Sequence, residues 1–176
     1  MVIVFNCIIL LIPSCKSSNE KTLQQDPKNL QEGLIRNQKQ IVKDESLEVD
    51  EYIARRDYKM ITTKTGLRYL IYSNGHGSQG VKNEDVVKIN YTVSLLDGTK
   101  VYSSDSTGAL QFKVGKSEVA SGLQEGVTYM HVGDKAVFVV PAHLAYGLQG
   151  GENRIPGATA LYAELEMLSV KSTSKK

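Results

Sequence analysis

Residues 85–98 read DVVKINYTVSLLDG, and this stretch decides which kind of fold the chain can adopt. Apolar residues occupy every second position from Val87 to Leu95, and polar or charged residues lie between them. Because successive side chains of a strand point to opposite faces, the pattern predicts an antiparallel strand with one face buried and the other in solvent. The Asp-Gly pair at 97–98 predicts a tight hairpin turn into a second strand at residues 100–102.

Shorter alternating segments on either side predict the remaining strands of a sheet. Upstream, residues 67–71 alternate in the same way, and the Asn-Gly pair at 74–75 predicts a turn after them. Downstream, alternation returns at residues 136–140, where Pro141 stops it, and again at 161–167. The chain therefore carries several short strands that are joined by turns and loops.

One segment between these strands has a helical pattern. Residues 117–130 change to a helical period whose apolar face includes Leu123 and Val127. Ser121 lies three residues before Gln124, which is the spacing of a capping box. A helix at this place would cover one face of the sheet. The pattern as a whole predicts an α+β fold, an antiparallel β-sheet wrapped on one short α-helix.

Residues 30–60 predict a helical linker in front of this domain. Apolar residues recur every seven positions from Ile35 to Val49 among glutamine, lysine and acidic residues, which is typical of one or two amphipathic helices. We expect a solvated helix that docks a narrow apolar stripe on its own domain, and an arm that forms a homodimer is the alternative. The domain itself is expected at 61–170, with a basic tail at 171–176.

The first residues of the chain resemble an export signal. Residues 1–14 are mostly apolar and fewer than the roughly 20 that a membrane-spanning helix needs, so we expect a cleaved signal peptide. Residues 12–15, Ile-Pro-Ser-Cys, resemble a bacterial lipobox, which implies a lipid on Cys15 that holds the protein at the periplasmic face of the outer membrane. A non-lipidated signal or an N-terminal anchor is the alternative. The polar residues 15–29 predict a flexible tether.

Composition and charge argue against several classes of function. The 21 basic and 19 acidic residues are spread along the chain and give a net charge of +2, so nucleic acid is not an expected partner. Both cysteines, Cys7 and Cys15, lie near the N-terminus, so no disulfide framework is expected. The three histidines are isolated, which argues against a metal site. Residues 75–80 match the dinucleotide fingerprint, but a strand follows instead of a helix, so nucleotide binding is not expected.

Seven spaced motifs resemble those of the FKBP-type peptidyl-prolyl cis/trans isomerases, in the same order and with nearly the same spacing. They are DVVKINYT at 85–92, LDGT at 96–99, VGK at 114–116, GLQEGV at 122–127, VGDKA at 132–136, LAYG at 144–147 and IPG at 155–157. The likeness extends from about Thr63 to Val170. With the lipobox and the helical linker, residues 96–104 are similar to those of the gliding-motility-associated lipoprotein isomerases of the Bacteroidetes.

The resemblance implies catalysis of the rotation about X–Pro amide bonds in exported or unfolded polypeptides. Amide resonance gives this rotation a barrier of about 18–20 kcal/mol. A site lowers the barrier by taking the amide out of water and by binding its twisted form better than its planar forms. No nucleophile, metal or cofactor is required. The alternative is a chaperone or assembly factor that uses the same pocket to bind extended chains without turnover.

The resemblance also assigns the residues of the pocket. The Tyr146 hydroxyl and the Ile155 backbone N–H would donate hydrogen bonds to substrate carbonyls, and Tyr102 would complete the catalytic group. The pocket that holds the substrate would be lined by Tyr91, Val101, Phe112, Val119, Ala120, Leu123 and Ala163.

Three of these positions depart from the family pattern. Val101, Leu123 and Ala163 stand where the family frequently has aromatic residues. The pocket is therefore less aromatic than usual, and we expect reduced or altered isomerase activity and weaker macrolide binding.

Overall fold

The computed structural model describes residues 27–116, 118–151 and 154–173. The predictions that fall on residues 1–26, which include the signal peptide, Cys15 and most of the tether, lie outside the described residues. The elements in chain order are α1 Pro27–Arg55, β1 Ile61–Thr62, β2 Arg68–Ser73, β3 Val86–Leu95, β4 Lys100–Ser103, α2 Ser104–Thr107, β5 Leu110–Lys113, α3 Ser121–Val127, β6 Lys135–Val140, a 3₁₀ turn Ala142–Leu144, and β7 Leu161–Lys171.

The seven strands of the described residues form one antiparallel sheet. Its strand order is β1-β2-β6-β7-β3-β4, and β5 also pairs with β3. The longest pairing joins β3 to β7, from Val86 opposite Lys171 to Leu95 opposite Leu161. The predicted α+β fold, an antiparallel sheet wrapped on a short helix, is confirmed.

The short helix α3 lies close against β6 because two of its glycines face the sheet. A Cβ added at Gly126 would come within 2.7 Å of the Phe138 ring, and one at Gly122 within 2.5 Å of Val140. Such distances are shorter than real Cβ contacts, so only glycine permits this approach of a helix backbone to the sheet. The core between helix and sheet includes Ile89, Val127, Met130, Phe138 and Leu165.

The opposite face of the sheet is covered at one end by the last turns of α1. Val49 and Tyr52 of α1 are buried together with Val139 of β6, and the Tyr52 ring lies 5.8 Å from the ring of Tyr162. Ser94 pairs with Tyr162 across β3 and β7 and is also buried. The predicted solvent-facing side of β3 is therefore partly covered at this end.

The linker is one continuous helix, and it begins earlier than predicted. α1 starts at Pro27, so the last three residues of the predicted tether at 15–29 belong to it. The side chains of Leu30, Leu34 and Ile35 in its first half are between 45% and 61% exposed. No helix of the described residues has the length and apolarity needed to cross a membrane.

Local turn predictions had mixed outcomes. The hairpin turn at 97–98 forms as predicted, and Gly98 has a positive φ of 95°. The Asn-Gly pair at 74–75 follows the end of β2 at Ser73, where the strand was predicted to close, and the chain continues there as a loop while β2 pairs with β6. The prediction of a capping box is wrong, because Ala120 is the N-cap of α3 and the Ser121 hydroxyl donates to the Leu144 carbonyl.

Candidate functional site

An apolar cavity of about 390 Å³ opens on the face of the sheet that α3 covers. β3 and β7 form its floor, where Val93 lies opposite Ala163. α3, β4, β5 and the segment after β6 form the walls. The lining residues are Tyr91, Val93, Tyr102, Leu110, Glu118, Val119, Ala120, Leu123, Val140, Ala145, Tyr146, Leu161 and Ala163. Most of this surface is aliphatic or aromatic, which suits a cavity that takes an apolar ligand out of water.

The size of the cavity depends on small side chains beneath it. Ala163 is flanked in the sheet by Val93 on β3 and Phe138 on β6. A methyl group at this position leaves space that an aromatic side chain would fill. Leu123 closes the side of α3, and the close approach of this helix to β6 at Gly122 fixes its position.

Tyr146 carries the polar group that is best placed to bind a ligand. Its ring lies 6.4 Å from the Tyr102 ring at an interplanar angle of 30°. Gly151 supports the ring from below, since a Cβ there would come within 2.6 Å of it. Tyr146 is 39% exposed, and among the described residues its hydroxyl has no hydrogen-bond partner. The hydroxyl can therefore donate to a carbonyl group that enters the cavity.

Two further tyrosines of the wall are held by neighbouring groups. The Tyr91 hydroxyl shares a hydrogen bond of 3.1 Å with the hydroxyl of Thr107, at the end of α2. The guanidinium carbon of Arg154 lies 5.9 Å from the centre of the Tyr102 ring, within the range of a cation–π contact. Arg154 also donates to the Val101 carbonyl at 3.2 Å. These contacts fix the wall of the cavity before any ligand binds.

The structure brings together seven of the ten residues that the sequence assigned to the pocket. The seven are Tyr91, Tyr102, Val119, Ala120, Leu123, Tyr146 and Ala163. Phe112 lies in the core instead. Leu110, two residues earlier on the same face of β5, is the residue of this strand that lines the cavity. Val101 is the sequence neighbour of Tyr102 on β4 and is buried in the core as well.

The Ile155 backbone forms a pair of hydrogen bonds within its own loop. Its N–H donates to the Gly151 carbonyl at 3.0 Å, and the Gly151 N–H donates to the Ile155 carbonyl at the same distance. The Ile155 side chain is buried in the core. This amide is therefore satisfied within its own loop, and of the two predicted donors only the Tyr146 hydroxyl lines the cavity.

Sequence reasoning missed six lining residues. They are Val93, Leu110, Glu118, Val140, Ala145 and Leu161. Three of them lie two positions from a predicted pocket residue on the same strand, so strand alternation could have found them. Glu118 and Ala145 are sequence neighbours of predicted residues. Glu118 is the one charged residue among the described residues that line the cavity.

A further group of charged side chains lies on the other face of the sheet, away from the cavity. The Asn90 amide donates to Glu166 at 3.0 Å, and this bond, with help from Lys135 at 3.4 Å, holds the pKa of Glu166 below its ordinary value. Burial raises the pKa of Tyr162, and its hydrogen bond to Glu164 acts in the same direction. Across residues 27–116, 118–151 and 154–173, no three His, Cys, Asp or Glu side chains are grouped as metal ligands would be.

The fold is an antiparallel sheet wrapped on a helix, with an apolar cavity between them that could enclose a short apolar group. Residues 77–168 match the family described as FKBP-type peptidyl-prolyl cis-trans isomerase, and the chain belongs to this family. The resemblance inferred from the ordered motifs is thereby confirmed at the level of the family.

Similar proteins come from bacteria and from animals. The FKBP-type isomerase FkpA of Aeromonas hydrophila is 37% identical over 125 residues, which cover 69% of this chain and 45% of that protein. The isomerase Fkbp12 of Drosophila melanogaster is 36% identical over 107 residues, or 60% of this chain and 99% of that protein. The crystal structure of FkpA from Escherichia coli has a TM-score of 0.63 at 28% identity, over 88% of this chain and 76% of that one.

These relatives confirm the predicted class of enzyme, a peptidyl-prolyl cis-trans isomerase. The chain nevertheless spans only about half the length of the Aeromonas relative, whereas it covers nearly all of the Drosophila one. Residues 77–168, which match the family, include every residue that lines the cavity.

Proposed function

We propose that the chain accelerates cis/trans isomerisation of X–Pro bonds in exported proteins, and that the cavity below Tyr146 is its catalytic site. The observation that carries this proposal is an apolar cavity of about 390 Å³ beside a tyrosine hydroxyl that has no partner among the described residues. The cavity is large enough for a proline ring and parts of its neighbours.

The proposed mechanism uses removal from water rather than covalent chemistry. A planar amide is more polar than a twisted one, so water stabilises the planar ground state more than the transition state. The apolar walls that include Leu123 and Ala163 replace that water. The Tyr146 hydroxyl anchors a carbonyl next to the proline, so that the amide rotates while the flanking chain stays in place.

The lining supports a weak or selective enzyme. Leu123 and Ala163 provide less aromatic surface than a tryptophan or phenylalanine would, so contacts with a proline ring are fewer. We propose reduced activity or a shifted substrate preference, together with weakened binding of macrolides. Val101, Phe112 and Ile155 would shape the cavity from the core behind it.

A proline-limited refolding assay tests the catalytic site. In the full chain, Tyr146→Phe should lower kcat/KM about three- to tenfold, because one hydrogen bond to the substrate is lost. Tyr72→Phe is the matched control, since Tyr72 is an exposed tyrosine outside the cavity lining. Equal rates for the unmodified protein, Tyr146→Phe and Tyr72→Phe would argue against this cavity as the site.

The second candidate function is a chaperone or assembly factor that binds extended chains with little turnover. It is supported by the thin aromatic lining and by the exposed apolar side chains Leu30, Leu34 and Ile35 on α1. Suppression of aggregation that survives Tyr146→Phe, while isomerisation falls, would separate this role from catalysis. If both activities fall together, the cavity serves both.

We also propose that the first half of α1 forms a homodimer. Leu30, Leu34 and Val42 are about half exposed on this part of the helix, and a second copy would cover them. Leu34→Glu should then shift the sedimentation coefficient from dimer to monomer. Asn37→Glu, which adds the same charge at an exposed polar position of the same helix, should not.

The N-terminal part of the proposal is a lipid-anchored protein of the bacterial cell envelope. A signal at 1–14, a lipid on Cys15 and a tether that ends at α1 would place the isomerase domain at the periplasmic face of the outer membrane, as in the gliding-motility-associated lipoprotein isomerases. Incorporation of labelled fatty acid into the protein, and its loss in Cys15→Ala, is the expected result. Equal labelling of the two proteins would argue against the anchor.

A further inference from the structure

Glu45 is a buried carboxylate that joins the linker helix to the catalytic domain. It lies on α1 with only 8% of its surface exposed. Its Oε1 accepts a hydrogen bond of 2.5 Å from the backbone N–H of Ala142, which begins the 3₁₀ turn after β6. A bond from an amide to a buried carboxylate is among the stronger hydrogen bonds in proteins.

The peptide that Glu45 holds is connected directly to the segment that carries Tyr146. The Ala142 carbonyl accepts from the Ala145 N–H at 2.9 Å and from the Gly147 N–H at 2.7 Å. Tyr146 therefore lies between two residues whose amides are both bonded to Ala142. A displacement of Ala142 would be passed to the Tyr146 ring through these two bonds.

Little else connects α1 to this turn. A cavity of about 200 Å³ lies beside the contact, bounded by Val42, Glu45, Pro141 and His143, so packing there is incomplete. The ion pair between Asp50 of α1 and Arg68, at 2.8 Å, reaches β2 and not the turn. Two hydrogen bonds to other parts of the domain also hold the turn. The His143 ring bonds with the Thr65 carbonyl, and the Leu144 carbonyl accepts from the Ser121 hydroxyl.

We infer that Glu45 is a positioning residue for isomerisation, which sets the orientation of Tyr146 through Ala142. This inference rests on the proposed role of Tyr146 and its cavity. It makes the linker helix a part of the catalytic apparatus and not only a spacer. Any event that lifts α1 from the turn would lower the rate without touching the substrate.

A double-mutant cycle in the full chain tests the inference, with kcat/KM for a prolyl peptide as the readout. Glu45→Ala should lower kcat/KM about three- to tenfold, mainly through kcat, and Glu45→Ala with Tyr146→Phe should be no slower than Tyr146→Phe alone. Glu45→Gln keeps an acceptor oxygen and should retain most of the activity. Asp50→Ala is the matched control on the same helix and should leave kcat/KM unchanged.

A second measurement follows Tyr146 itself. Fluorotyrosine incorporated into the protein gives a fluorine resonance for each tyrosine. The resonance that is missing from the spectrum of Tyr146→Phe belongs to Tyr146. Glu45→Ala should move this resonance, and Glu45→Gln should restore it. Folding of each variant is checked by circular dichroism before rates are compared.

The outcomes separate failure of the inference from failure of the catalytic site. If Tyr146→Phe lowers the rate but a folded Glu45→Ala leaves both rate and resonance unchanged, Glu45 has no positioning role. The inference would also be overturned if the separate losses of kcat/KM in Glu45→Ala and Tyr146→Phe multiplied in the double variant. The same holds if Asp50→Ala lowered kcat/KM as much as Glu45→Ala does. If Tyr146→Phe itself has no effect, the proposed site fails first.

Discussion

The two faces of the sheet are covered by helices that make contact in different ways. α3 approaches one face through Gly122 and Gly126, with apolar contacts only a few ångströms from the strands. α1 approaches the other face with a tyrosine, a buried carboxylate and an ion pair near one end of the sheet. α3 is part of the core, whereas α1 is an attachment that could be released while the sheet stays folded.

The largest effect should follow a side chain added between α3 and the sheet. In Gly126→Val, the new atoms would overlap the fully buried ring of Phe138, because even a Cβ would come within 2.7 Å of it. We expect a loss of about 3 kcal/mol or more in the free energy of unfolding. Urea unfolding followed by circular dichroism measures it.

The control for this change lies on the other helix. Gly33 of α1 has no atom within 4 Å of a Cβ added there. Gly33→Ala should therefore raise helix content and stabilise α1 by about 0.5–1 kcal/mol, as expected for an open position inside a helix. A similar destabilisation by Gly126→Val and Gly33→Ala would contradict the difference between the two faces.

The second-largest effect should be a loss of α1 docking that leaves the sheet folded. Tyr52→Ala removes a ring that is 2% exposed and contacts Tyr162, at a cost of about 2–4 kcal/mol in docking. Native-state hydrogen exchange should show faster exchange in the last turns of α1, with β6 and β7 still protected. Leu47→Ala is the control, since Leu47 is 54% exposed on the same helix. Loss of protection throughout the sheet would mean that α1 belongs to the core.

Sequence periodicity predicted the α3 side of the molecule well because its contacts follow from local pattern. Strand alternation placed Ile89 and Leu165 in the core, and both are buried. The same alternation could not predict that Ser94 is buried. That burial depends on α1, which is distant in sequence and approaches the polar side of the strand.

Site residues that belong to sequence motifs could be predicted, whereas residues whose position depends on the geometry of a loop could not. Tyr146 and Leu123 belong to motifs and line the cavity. Leu110 and Phe112 lie on the same face of β5, and the sequence pattern alone does not show that Leu110 lines the cavity while Phe112 is buried in the core. The bond between the Ile155 amide and Gly151 closes a small loop that no periodicity encodes.

Alkaline pH should weaken the α1 attachment. Burial raises the pKa of both Tyr52 and Tyr162 above the ordinary tyrosine value of about 10. The docked state thus favours the neutral phenols, and this stabilisation is complete below pH about 10 and is lost as the pH rises further. We expect tyrosinate absorbance to appear together with faster proteolysis of α1, and Tyr162→Phe should remove part of the pH dependence. Release of α1 at acidic pH instead would reverse the sign that burial requires.

The smallest effect should come from the ion pair between α1 and β2. Arg68 donates to Asp50 at 2.8 Å, but the Asp50 side chain is 62% exposed, so water and salt screen the attraction. Asp50→Ala should cost about 0.5–1 kcal/mol or less in docking, because Arg68 keeps its bond to the Gly66 carbonyl. Hydrogen exchange of α1 at low and high salt would show this small cost and its decline with salt. If Asp50→Ala loosened α1 as much as Tyr52→Ala does, charge rather than aromatic burial would hold the helix, and Asp50 could no longer serve as the neutral control for Glu45.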